Sequence, residues 1–142
     1  MLNRTLQLVL IAACLSGGAQ SSLAQSAAPT AITQGTPNVK RTVLQKVDVA
    51  GTNNEMIMAI VEVGAKIKLG RHTHPGTASG YVTEGEYTFW FDGQPPKTVK
   101  TGESITIPAG AIHDEGTGDA PAKLVVVYIV EKGKPLVSPV AK

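Results

Sequence analysis

From residue 39 to residue 130 the chain alternates short apolar runs with clusters of Gly, Pro, Asn and Asp. No segment repeats apolar residues at i, i+3, i+4 and i+7, so the period is two and strands are predicted throughout. Residues 42–49 lead, followed by a Gly51-Thr52-Asn53-Asn54 turn. Residues 56–63 (MIMAIVEV) and 123–130 (KLVVVYIV) are almost unbroken apolar runs, the pattern of strands covered on both faces. Residues 66–74 alternate until Pro75-Gly76 breaks them, and 81–83 and 86–91 flank Glu84-Gly85. Asp92-Gly93 is a tight-hairpin signal, and 104–107 ends at Pro108. The polar run 114–119 (DEGTGD) reads as a turn capping the fold. Many short strands separated by turn residues predict one all-β domain, a sandwich or barrel, over residues 39–131. Within it Tyr87, Phe89 and Phe91 alternate with Thr88 and Trp90, so one set is expected to fill the interior.

The two ends read differently. Residues 1–24 combine Arg4, an apolar run at 6–15 and a Ser22-Leu23-Ala24 cleavage site, the pattern of an export signal. The run is too short to span a bilayer, which takes roughly 20 residues, so no transmembrane span is expected. Ile11-Ala12-Ala13-Cys14 also resembles a lipobox, which leaves lipid anchoring through Cys14 as a second route. By either route the expected location is periplasmic or secreted. Cys14 is the only cysteine, so a chain cleaved after Ala24 has neither disulfide nor thiolate chemistry. Residues 25–38, with Pro29, Gly35 and Pro37, read as a flexible tether, and 132–142 as an extended tail lying over a neighbour or in solvent. The formal charge is only +2, and the lysines are scattered without interleaved aromatics, which argues against a nucleic-acid partner. No P-loop, Gly-x-Ser-x-Gly elbow or Gly-x-Gly-x-x-Gly fingerprint is present.

The candidate chemistry lies in the three histidines. His72 and His74 are two apart, so on a strand they share a face about 7 Å apart along the chain. His113 follows a strand that ends in Pro108 and Gly110, and such a turn can aim it back toward the mouth of a barrel.

These stretches resemble the two motifs of the cupin superfamily, small β-barrels of jelly-roll type. Residues 70–76 (GRHTHPG), running on to Glu86, resemble the first motif; Gly102, Pro108, Gly110 and His113 resemble the second. The resemblance implies a single-domain cupin jelly-roll β-barrel, commonly a homodimer, with a divalent metal held by His72, His74 and His113. Two departures matter. The glutamate that usually completes the first motif is replaced by Ala78 and Ser79, and the asparagine common at the end of the second by Thr117. Glu84 follows Ala78 by six residues, about 20 Å on an extended strand, so it is no substitute. Glu62, Asp114 and Glu115 remain remote candidates for the missing anion.

An all-imidazole shell leaves a divalent ion its full +2 charge, which suits Zn, Cu or Ni better than Mn; some three-histidine cupins resemble this chain and use Fe. Two functions stay open. One is a metal-dependent oxygenase, isomerase or decarboxylase acting on a small organic molecule. The other is a non-catalytic module that binds a small ligand or a metal. No second general acid or base is recognisable in the sequence, so no catalytic residue is assigned. A Ser79–histidine nucleophile is rejected because no orienting acid is visible.

Overall fold

Inward and outward positions of the alternating runs become the two faces of antiparallel sheets. The computed structural model describes residues 31–32 and 37–141; the expected export signal, Cys14 and most of the expected tether lie outside the described residues. The strands are β1 (Ala31–Ile32), β2 (Val39–Asp48), β3 (Asn54–Val63), β4 (His72–Thr73), β5 (Gly76–Glu84) and β6 (Glu86–Phe91). They continue as β7 (Lys97–Lys100), β8 (Ser104–Ile107), β9 (His113–Gly116), β10 (Ala122–Glu131) and β11 (Ser138–Pro139). One sheet has the order β1-β2-β3-β10-β5-β8 and the other β11-β4-β9-β6-β7. The fold is an all-β jelly roll. The two sheets are separate hydrogen-bonded ladders packed face to face, the jelly-roll arrangement that the sequence led us to expect.

The core lies between the sheets. Ile57, Ala59, Val61 and Val63 from β3 meet Leu124, Val126, Tyr128 and Val130 from β10, with Tyr87 and Phe89 from β6 opposite. The aromatic set that fills the interior is therefore the odd one. Trp90 faces outward, under the Lys68 ammonium 3.8 Å from its ring centre. The two long apolar runs, expected to be covered on both faces, are covered on one. Met56, Met58, Ile60, Val125 and Val127 remain half-exposed on the outer face, and Ile129 and Tyr81 are exposed.

Three segments differ from their sequence expectation. Residues 66–74 do not form one strand: the chain there crosses from β3 in one sheet to β4 in the other, and only Lys68 makes a bridge, to Gly116. Residues 113–116, expected to lie mostly in a polar turn, form β9, whose register against β6 pairs His113 with Phe91 and Glu115 with Phe89. Ladder pairing to an aromatic strand overrides the low strand preference of Asp and Gly. Residues 138–139, expected in a tail over a neighbour or in solvent, pair as β11 with β4 of the same chain, and Val140 N donates to the Arg71 carbonyl at 2.9 Å. Ala31–Ile32, from the expected tether, pairs as β1 along the edge of β2.

Gly116 marks the tightest join between crossover and sheet, since a Cβ there would sit 2.1 Å from the Ile67 carbonyl oxygen. Backbone cannot yield as a side chain does. Gly116→Ala is expected to lose about 2–3 kcal/mol of stability by denaturant unfolding. Gly118→Ala, where nothing lies within 4 Å, is expected to match the wild type.

Candidate metal centre

The β4–β9 ladder sets the site. His72 and His113 are direct cross-strand partners, so their side chains share the inward face. His74 follows β4 by one residue and lies two beyond His72. Its carbonyl accepts from Gly110 N at 3.1 Å, which docks the Pro108–Gly110 turn against it, with Gly110 at φ 71. The structure thus brings together the three histidines singled out in the sequence. Their ring centroids are 4.3 Å apart for His72–His113, 5.0 Å for His72–His74 and 5.2 Å for His74–His113. One ring nitrogen from each lies within 4.8 Å of the others, and all three residues are buried.

Hydrogen bonding assigns the nitrogens. His72 Nδ1 donates to the Gly70 carbonyl at 2.7 Å, His74 Nδ1 to Leu136 at 2.7 Å, and His113 Nδ1 to Ala111 at 3.0 Å. A carbonyl oxygen only accepts, so each Nδ1 carries the hydrogen and each neutral ring keeps its lone pair on Nε2. Metal-ligating histidines are held in this way. Burial keeps the rings neutral. It lowers all three pKa values, His74 to about 4, against the pull of the carbonyl bonds. The fit to a cation is then tested by one atom: His113 Nε2 is fully buried and has no hydrogen-bond partner among the described residues. An unsatisfied buried acceptor costs about 1–3 kcal/mol, which a bound divalent ion would offset. Three neutral imidazoles positioned in this way can hold a metal ion.

A family model for the cupin domain matches residues 57–128, the stretch that holds all three histidines. The chain belongs to the cupin family. Solved structures similar to this cupin include a DMSP lyase from Ruegeria pomeroyi, at 20% identity and TM-score 0.61 over 72% of this chain. The cupin spans only 51% of the length of that lyase. Polyketide cyclase RemF from Streptomyces resistomycificus is similar at 25% identity, TM-score 0.59, over 75% of this chain and 73% of its own. A cupin-like protein from Thermotoga maritima is similar at 25% identity, TM-score 0.58, over 75% and 79%. No match is found among curated proteins.

The remaining candidates separate cleanly. Glu62 pairs with Lys40 at 3.3 Å and Glu84 with Lys123 at 3.6 Å, both at the surface of this cupin. Asp114 accepts from Gly70 N and Glu115 N, bracing the segment that carries His72. Thr117 accepts from Ile67 N and donates to the Gly64 carbonyl, tying the crossover to the strand after β9. Ser79 is exposed. Glu115 differs: Oε1 lies 3.9 Å from His72 Nε2 and Oε2 4.0 Å from His113 Nε2, with the side chain 13% exposed. Burial pushes its pKa up to about 7, partly countered by Arg41.

Sequence reasoning missed Arg41, Tyr87 and Tyr128 as site neighbours. Arg41 is buried on β2 and its guanidinium lies 5.9 Å from the centre of the Tyr128 ring. Tyr128 meets His74 edge-on at 5.4 Å. Tyr87 Oη is buried without a hydrogen-bond partner among the described residues. The alternation Val39-x-Arg41-x-Val43 carried the signal for Arg41, since it puts a charge on an apolar face. His74, Glu115, Tyr87 and Tyr128 share a cavity of about 10 Å³, room for a single water. A wider surface groove, about 410 Å³, is lined by Asn38, Lys40, Glu62, Glu84 and Lys123 and touches none of the histidines.

These shifts set a pH dependence for the metal-free protein. Unfolded His74 takes a proton near 6.5 and folded His74 near 4, so its stabilisation is complete above 6.5 and is lost as the pH falls. Full protonation of His74 alone costs about 3 kcal/mol, and His72 and His113 act in the same direction. Glu115 has the opposite sign, because its folded form is protonated first between about 7 and 4.5. Urea unfolding is expected to show lower stability at pH 5 than at pH 7. Glu115→Gln should steepen that loss, and stability that rises on acidification would contradict the assignment.

Proposed function

We propose that this cupin is an exported metal-dependent enzyme acting on a small organic molecule. His72, His74 and His113 hold the ion, through the three Nε2 lone pairs left free by Nδ1 bonds to backbone carbonyls. That convergence carries the reading. Zn, Ni, Cu or Fe suits such a donor set, and the bound ion would supply Lewis acidity or oxygen activation. Three protein nitrogens hold the ion, and the Glu115 carboxyl lies beside two of the rings, 3.9 Å from His72 Nε2 and 4.0 Å from His113 Nε2. The likeness to RemF, described as a polyketide cyclase, supports small-molecule chemistry on this architecture. Export rests on the leader pattern of residues 1–24, with periplasm or secretion as the destination.

A second reading, a module that binds metal or a small ligand without turnover, is favoured by the single-water cavity. The two readings part on one experiment. Protein purified from its natural host is expected to carry about one divalent ion per chain by elemental analysis. His113→Ala should lower metal affinity by at least about 100-fold, since even indirect disturbance of a ligand costs 10–100-fold. Turnover of a screened small organic acid, diketone or phenol that needs the ion supports the enzyme; retained metal with no turnover supports the module. A chain that binds no divalent ion overturns both.

We also propose that the chain pairs with a second copy through the outer face of the six-stranded sheet. There Val47, Met56 and Ile129 lie side by side across β2, β3 and β10, with Val47 and Ile129 exposed. An uncovered apolar sheet face of this kind is a typical interaction surface. Light scattering is expected to give a dimer mass, and Ile129→Glu a monomer with unchanged metal content.

A further inference from the structure

We infer that Glu115 supplies the anionic ligand missing at Ala78, and that the carboxylate of this metal site has moved from the first motif to β9. The inference rests on the metal-site reading above and concerns only which residue completes it. On β9, Glu115 is two residues beyond His113, so strand alternation puts both on the inward face. Its two oxygens address different rings, 3.9 Å from His72 Nε2 and 4.0 Å from His113 Nε2.

That spacing is informative. It is too long for a hydrogen bond, whose N···O distance is about 2.7–3.2 Å. The facing atoms are electron-rich on both sides, because each ring has spent its hydrogen on a backbone carbonyl. Lone pairs and an ionised carboxylate held this close, away from bulk water, repel unless a proton or a cation lies between them. Metal–nitrogen and metal–oxygen bonds of about 2.0–2.2 Å span a gap of about this size. His113 Nε2, buried and otherwise unpartnered, faces the same gap.

The old position, by contrast, carries a methyl group that cannot ligate. Ala78 is fully buried and is flanked in the ladder by Ile107 and Tyr128. Its ladder partner Tyr128 meets His74 edge-on at 5.4 Å. A carboxylate on β9 lowers the ion's net charge from +2 to +1. It also adds a hard oxygen donor, which favours Mn(II) and Fe(II) more than an all-imidazole shell does.

The test compares Mn(II) and Zn(II) binding to wild type, Glu115→Gln and Glu115→Asp, by electron paramagnetic resonance titration and chelator competition. Thermal unfolding checks that each variant folds. Glu115→Gln is expected to lower Mn(II) affinity about 100-fold and Zn(II) affinity less, with Glu115→Asp between it and wild type for Mn(II). Equal affinities in folded Glu115→Gln and wild type overturn the assignment of Glu115 and leave the three-histidine site standing. A wild type that binds neither ion overturns the metal-site reading itself, and this assignment with it. Should the variants fail to fold, Mn(II)-loaded wild type labelled with 13C in the glutamate carboxyl decides. A carboxyl-carbon hyperfine coupling is expected, and its absence overturns the proposal.

Discussion

Three backbone carbonyls, those of Gly70, Ala111 and Leu136, decide what the histidines can do. Each takes the Nδ1 hydrogen of one ring, and that single choice fixes tautomer, ring plane and the direction of the remaining lone pair. Without those bonds the rings are buried polar groups free to turn; with them they are three aligned donors. Two of the carbonyls are local, each two residues before its own histidine, and the third comes from the C-terminal segment. Assembling the donors therefore requires long-range structure at two points, the seating of Leu136 on His74 and the meeting of the strands that carry the other two rings. The pairing of β4 with β9 is the hinge of that assembly, because it alone puts His72 directly opposite His113.

The same burial that sharpens the site makes it costly. Neutral imidazoles in an apolar interior leave little unpaired charge, and the lowered pKa values keep them neutral near pH 7. Glu115 is the exception, a carboxylate among Phe89, Tyr87 and Tyr128. Arg41 offsets part of its cost but also lowers the pKa of His72 and His74. Charge balance in the interior is thus shared by one arginine, one glutamate and three rings. An acid on β9 and a base on β2 place the two charges in different sheets, across the core from one another.

Much of this was legible in the sequence. Period-two alternation gave the strands, and His-x-His on one strand with a third histidine after a Pro/Gly turn gave the cluster, because both rest on local geometry. Other features were not local. Residues 114–119 have the composition of a turn, and only pairing with the aromatic strand β6 makes 113–116 a strand. Had that been foreseen, the same alternation rule would have put Glu115 beside His113. The segment 66–74 alternates like a strand but has to change sheets, a requirement that polarity alone does not encode. Leu136 gave no signal at all, since its contribution is a carbonyl that every residue possesses. Residues 1–24, read as an export signal, lie outside the described residues.

The C-terminal segment ties these points together. Leu136 packs against the core and its carbonyl orients His74, while β11 two residues later pairs with β4, the strand that carries His72. Val140 and Arg71 extend the tie beyond the strand, and Arg71 also bonds the Ala141 carbonyl. The segment therefore does two jobs at once: it completes the orientation of one donor and it extends the sheet beside the strand that carries another. Its own hold is short, because β11 pairs over only two residues and few hydrogen bonds secure it. The aim of His74 thus depends on one backbone oxygen in one of the most lightly tied segments of the fold.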